Sequence, residues 1–188
     1  MRYINASVKT LLKDCAARTP APGGGAVAAW AAASSAALIE MAAAYTSGRP
    51  QYKAVAKTVR VLRARASRTR RLLERLIDED IAAYSRKDVR RSIAVPLRVA
   101  AASRVLCEDA CVLFNKGNKN LKSDAGLAVL LAETAFLAGL VYGAVNLKRD
   151  KKSAKRFRRD FAKLKRAVPR VRALRRKTEA ALGYSLGR

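Results

Sequence analysis

The chain has 188 residues, 40 Lys or Arg against 14 Asp or Glu, no histidine, and a formal charge of +26. Its length fits one domain with a real core, and the lack of histidine excludes imidazole acid–base chemistry and imidazole metal ligation. A surface this basic attracts polyanions: nucleic acid, an anionic membrane or an anionic metabolite.

Hydrophobic residues make up 51% of the chain but aromatics only 6%. A chain rich in Ala, Leu, Arg and Lys favours helix, because alanine loses no side-chain entropy and the straight-chain residues lose little. No stretch alternates apolar and polar residues long enough to read as a strand. The fold class is all-α.

The first helix is expected over Ser7–Ala17, capped by Ser7, with Val8, Leu11, Leu12 and Cys15 as its apolar stripe. Pro20 and Pro22 stop it. After Gly23-Gly24-Gly25 an alanine-rich helix runs from Gly25 to Thr46, ended by Gly48 and Pro50. A third helix spans Gln51–Lys87, with Val55, Val59, Leu62, Leu73, Leu76 and Ile77 on one face. Arg60, Arg63, Arg68, Arg70, Arg71 and Arg75 form its basic side. Pro96 marks a break, and Leu97–Phe114 reads as the fourth helix. Asn115–Asn120 is a loop by composition. Ser123 then caps a fifth helix that reaches Leu147.

From Lys148 onward there are 17 Lys/Arg against 3 Asp/Glu, a net of +14. Phe157, Phe161, Leu164, Val168, Val171 and Leu174 keep helical spacing, and Pro169 should kink or divide the segment. Residues 1–150 therefore read as a helical domain. Residues 151–188 read as a basic helical extension packed on or appended to it.

Cys15, Cys107 and Cys111 are few and odd in number, as in a reducing compartment, so a cytoplasmic location is expected. Cys107 and Cys111 share a helix face. Without histidine or a second pair they suit core packing, and no metal site is expected. The N-terminus carries charges where a signal peptide needs an apolar run. Gly25–Tyr45 and Ala125–Leu147 have the length of membrane spans, but Glu40, Glu133 and Asn146 interrupt them. A soluble bundle core needs such helices equally, and no membrane association is expected.

Three places carry polar chemistry. Thr19–Gly25 joins stiff prolines to glycines that open a long helix, whose free N–H groups and positive dipole end make an anion cradle. A close helix–helix connection uses the same glycines. No lysine of a Walker loop is present and no strand precedes, so neither a P-loop nor a dinucleotide fold is supported. Asp78-Glu79-Asp80 spreads over about 200° of helix surface, so its members face different surroundings. Asp80 and Tyr84 share a face, and salt bridges to arginine are the plain alternative. Ser123-Asp124 opens the fifth helix, and Glu133 and Asn146 lie within its apolar length, where each needs a partner if buried.

In this order, the stretch Ala16–Ala29, the Asp78–Tyr84 segment, Val95-Pro96-Leu97, Gly117-Asn118, Ser123–Gly126 and Asn146-Leu147 resemble the cyclodeaminase/cyclohydrolase family. That family includes the C-terminal domain of formiminotransferase-cyclodeaminase and stand-alone methenyltetrahydrofolate cyclohydrolases. The similarity covers roughly residues 5–150. In this chain only Ser85–Ala94 lie between the acidic stretch and Val-Pro-Leu, fewer than the family usually has. Tyr142 stands where the family often has a second asparagine.

The resemblance implies an antiparallel bundle of about five or six helices that forms a homodimer. It implies a tetrahydrofolate derivative as substrate and no tightly bound cofactor. Ring closure with release of ammonia, or addition of water to the methenyl carbon, needs proton transfer, for which a placed carboxylate is suited. Asp80 and Asp124 are the expected catalytic groups. Pro22, Gly23, Gly24, Gly25, Tyr84, Ser123 and Asn146 are the expected substrate contacts. The alternative is a catalytically impaired scaffold of this family that binds RNA or a ribonucleoprotein through its basic surface.

Overall fold

A computed structural model describes residues 2–149 and 151–183. All regular structure among them is helical: α1 (Val8–Ala16), α2 (Gly24–Thr46), α3 (Ala56–Ser85), α4 (Val89–Lys116), α5 (Lys122–Arg149), α6 (Lys151–Arg166) and α7 (Val168–Ala181). Short 3-10 turns occupy Tyr3–Asn5, Pro50–Val55 and Lys119–Leu121. The core lies among α2, α3, α4 and α5, where Ile39, Leu73, Leu76, Ile93, Leu106, Val129 and Phe136 are fully enclosed.

Ser7 caps α1 as expected, its hydroxyl accepting from the Thr10 amide at 3.0 Å. Of the expected stripe only Leu11 is buried; Val8 and Leu12 stay exposed. α2 runs antiparallel to α5, since the Ser35 hydroxyl donates to the Ala128 carbonyl while Gly24 lies against Tyr142.

The third helix begins later than expected, because Pro50–Val55 tightens into a 3-10 turn. Its end is a Schellman motif. The Asp88 amide bonds the Ala83 carbonyl and the Lys87 amide bonds that of Tyr84, with Lys87 at φ 54°. Asp88 then caps α4 by accepting from the Arg91 amide at 2.9 Å. Two helices of 30 and 28 residues are thereby joined by a turn of almost no length.

Pro96 does not break the chain; it lies inside α4, which begins at Val89. Proline leaves the carbonyl four residues earlier without its helical donor. That carbonyl, of Ser92, accepts from Asn146 Nδ2 at 2.6 Å, so a side chain of α5 replaces the missing amide. Gly139 permits the approach, since a methyl there would sit 2.6 Å from the Pro96 carbonyl. The expected loop shrinks similarly: α4 continues to Lys116, and Asn118 holds the turn by bonding Thr46 and the Tyr45 carbonyl. Ser123 is not a cap. α5 already starts at Lys122, directly after the 3-10 turn capped by Asn118.

Pro169 divides the basic segment, at the first turn of α7. α6 and α7 lie on α4 and α5, burying Ala154, Leu164 and Val171 and half-burying Phe157 and Phe161. Cys107 and Cys111 are buried in the core, Cys111 beside the Thr178 hydroxyl of α7. Glu133, in the middle of α5, meets Arg175 of α7 at 2.9 Å, and Arg175 also holds Glu179 at 2.6 Å.

α2 and the Lys119–Arg149 stretch are each long and apolar enough to cross a membrane, and roughly half of each is buried within this fold. Glu40 of α2 is paired with Arg70 at 2.7 Å, so Arg70 is not part of a free basic face.

Arg175→Met leaves the buried carboxylates of Glu133 and Glu179 without their cation. A loss of about 3 kcal/mol is expected, read as a lowered urea midpoint with unchanged slope. A shift under ~0.5 kcal/mol would show that α7 contributes little to the fold.

Candidate active site

The acidic triplet at the end of α3 turns into three separate environments. Asp78 accepts from the Tyr3 amide at 2.7 Å and fastens the N-terminal segment to α3. Glu79 pairs with Arg98 of α4 at 2.6 Å. Asp80 alone points to the start of α2, where a methyl on Gly25 would overlap both its carboxylate oxygens.

Gly24 plays the same part for another group, since a methyl there would overlap the Tyr142 hydroxyl. Gly23 caps α2 and has open space beside it. The anion cradle expected at this helix end is therefore occupied by the protein's own carboxylate. The glycines serve close approach by Asp80 and Tyr142, not a bare phosphate nest.

Burial pushes the Asp80 carboxyl up from 3.8 to about 6, and a hydrogen bond from the Ala26 amide opposes the shift. Desolvation wins because no cation among the described residues pairs with Asp80. The group is thus poised to exchange a proton near neutral pH.

Two adjoining hollows of about 630 and 270 Å³ share Pro20, Tyr84, Ser92, Asn146 and Arg149 and form one cleft. The smaller part reaches Asp80, the glycines and Tyr142; the larger opens past Lys87 and Val89 at the α3–α4 turn. A cleft of this size falls in the range of small-molecule sites. Asn146 spends its amide N–H on Ser92, which leaves its carbonyl oxygen as an acceptor at the wall.

The structure thus brings together Gly23, Gly24, Gly25, Asp80, Tyr84 and Asn146. Pro22 is buried behind the turn, and Pro20 lines the cleft in its place. Ser123 and Asp124 are not in this cleft. They lie at the opposite end of α5, 22 residues from Asn146 or ~33 Å along the helix. Tyr142 and Arg149 also line the cleft and were not among the expected contacts. Their spacing of four and three residues from Asn146 puts all three on neighbouring faces of α5, a signal present in the sequence.

Two stability measurements follow from this geometry. Gly25→Ala should displace the Asp80 carboxylate or the start of α2, costing about 1–3 kcal/mol despite alanine's better helix propensity. Asp80→Asn should stabilise. A carboxyl whose folded value exceeds its unfolded one holds its proton more tightly when folded, so stability falls as pH rises through the window from 3.8 to about 6. The variant should melt above the wild type at pH 7–8, with the gap closing toward pH 4. A gap that widens on acidification would contradict the assigned environment.

The formiminotransferase-cyclodeaminase family model matches residues 7–88 and 85–163, two stretches that meet at the α3–α4 turn. A methenyltetrahydrofolate cyclohydrolase of Methylorubrum extorquens is 29% identical over 76% of this chain and 78% of its own length. The formimidoyltransferase-cyclodeaminase of Rattus norvegicus is 29% identical over 77% of this chain, which spans only 31% of that longer protein. A solved structure of formiminotetrahydrofolate cyclodeaminase from Thermotoga maritima superposes with a TM-score of 0.86 over 96% of this chain and 98% of its own, at 24% identity. By its glycine-opened helix, its ordered acidic and asparagine positions and the family match over most of its length, the chain belongs to the formiminotransferase-cyclodeaminase family.

Proposed function

We propose that this chain is a folate one-carbon enzyme, a cyclodeaminase or methenyltetrahydrofolate cyclohydrolase. The observation that carries the reading is Asp80: a carboxyl raised to about 6, seated on a helix start and opening into a metabolite-sized cleft. The family and the named relatives support the substrate class.

In the hydrolytic direction, water adds to the methenyl carbon. Asp80 takes one proton from that water, the carbon–nitrogen bond of the five-membered ring breaks as this proton passes to the leaving nitrogen, and the second water proton leaves the new formyl oxygen for solvent. In the deaminating direction, N10 attacks the formimino carbon, loses its proton to Asp80, and ammonia departs carrying a proton. Formimino, methenyl and formyl carbons share one oxidation level. Neither reaction therefore needs a redox partner, and no tightly bound cofactor is proposed.

Tyr84 and Tyr142 offer aromatic surface to the pterin, and the Asn146 carbonyl oxygen accepts from a ring N–H. Lys87 and Arg149 at the rim suit the glutamate carboxylates. The assembly we propose is a homodimer.

Purified protein should consume 5,10-methenyltetrahydrofolate faster than buffer, or produce it from 5-formiminotetrahydrofolate, followed by absorbance. For Asp80 acting as base, kcat/KM should rise with pH and level off above about 6. Asp80→Asn should lose about 10²–10⁴ of kcat along with that limb. No rate above buffer with either compound would overturn the proposal.

A further inference from the structure

Helices α4 and α6 enclose a second groove that shares no residue with the Asp80 cleft. On α4 its wall is Arg90, Ala94, Leu97, Ala101 and Arg104, spaced by three or four residues and so on one face. On α6 it is Lys152, Arg156, Asp160 and Lys163, again spaced by three or four. Ala94 and Ala101 are too short to fill the space between the two helices, and a hollow of about 600 Å³ stays open. Its floor is apolar: Leu97 and Leu164 are buried and Phe157 is half-buried. A smaller hollow of about 310 Å³, lined by Arg90, Lys152, Arg156 and Phe157, shares the Phe157 ring with the first.

Seven cations line the two hollows, and Asp160 is the one acid among them. Some of these cations are already engaged. Arg98 holds Glu79 at 2.6 Å, and Arg104 and Arg170 share Glu108, each at 3.1 Å. Arg90, Arg156 and Lys163 bond no acid among the described residues, apart from the local Arg91 that takes the Asp88 carboxylate next to Arg90. Positive charge set against a low-dielectric wall attracts an anion more strongly than the same charge in open water. No uncharged polar side chain lines either hollow, so recognition rests on apolar contact and charge.

We infer that this groove binds a small molecule that joins an apolar or aromatic body to two or more phosphates. The body lies on Leu97, Leu164 and the Phe157 ring in the larger hollow, whose volume falls in the range of small-molecule sites. The phosphates meet Arg90 and Arg156 in the smaller hollow, with Lys163 at the rim of the larger. Arginine suits phosphate because its planar fork gives two parallel hydrogen bonds. The groove is separate from the Asp80 cleft, so the inference does not rest on the folate reading.

Equilibrium dialysis of the full chain at about 0.15 M salt tests it, with ATP, decanoyl-coenzyme A and tripolyphosphate as probes. ATP or decanoyl-coenzyme A should bind about tenfold tighter than tripolyphosphate or better, because the floor adds apolar burial to the charge. A tighter ATP identifies a flat base as the body, and a tighter decanoyl-coenzyme A an aliphatic chain. Ala101→Trp fills the hollow from an exposed position without changing the charge. It should weaken the better probe about tenfold and leave tripolyphosphate unchanged. Arg156→Glu with Lys163→Glu should also cost about tenfold. Arg63→Glu with Arg68→Glu makes the same change of charge at exposed positions of α3 outside the groove, and should cost less than about twofold. Far-ultraviolet circular dichroism of each variant should match that of the wild type. Equal affinity for all three probes, or equal damage from the two charge pairs, reduces the groove to a basic surface and overturns the inference. Failure of both ATP and decanoyl-coenzyme A to bind overturns it as well.

Discussion

The arrangement turns on the contact between the Asp80 carboxyl and the first turn of α2. Two opposing effects meet there. The helix start, with its free amides and positive dipole end, favours the anion. Enclosure among α2, α3 and α5 disfavours it, and enclosure prevails. Glycine at position 25 is what lets α3 place a carboxylate where a Cβ would otherwise stand, and glycine at 24 does the same for Tyr142 of α5. Three helices that share few charges are thus fastened around one titratable group.

The opposite wall is built from backbone accounting. Pro96 leaves one carbonyl of α4 without a donor, and α5 answers with Asn146. An asparagine placed to repair a helix is also held rigidly, one face bound and the other open to the cleft. Here the structural and functional roles of a residue are the same hydrogen bond seen from two sides. Gly139 is the condition for both, since it lets α5 come close to the proline turn.

Much of this was readable from residue order. The glycine turn, Asp80, Tyr84 and Asn146 were identified by their sequence context, and the structure collects them in one cleft. The spread of Asp78, Glu79 and Asp80 around α3 predicted their different partners. What failed were the local rules that tertiary structure overrides. Pro96 read as a break because the donor that rescues its helix comes from 50 residues away. Ser123 read as a cap because the 3-10 turn before it left no local signal of continuing helix. Pro22 read as a contact because sequence does not say which side of a turn faces a cavity. Asp124 stands apart from this cleft because it opens α5 while Asn146 lies near its other end.

The charge of the chain sharpens which carboxylates matter. With 40 basic residues available, an acidic side chain in this protein finds an arginine easily. Glu40, Glu74, Glu79, Glu108, Asp109, Glu133 and Glu179 all do so, and most of these pairs stitch one helix to another. Against that background an unpaired acid is the informative one. Among the described residues no cation pairs with Asp80, so burial raises its proton affinity with no neighbouring positive charge to lower it. The same excess of arginine that makes the surface basic therefore serves as a filter. It neutralises most of the structural acids and, in the cleft, leaves Asp80 without a cation and free to change its charge near neutral pH.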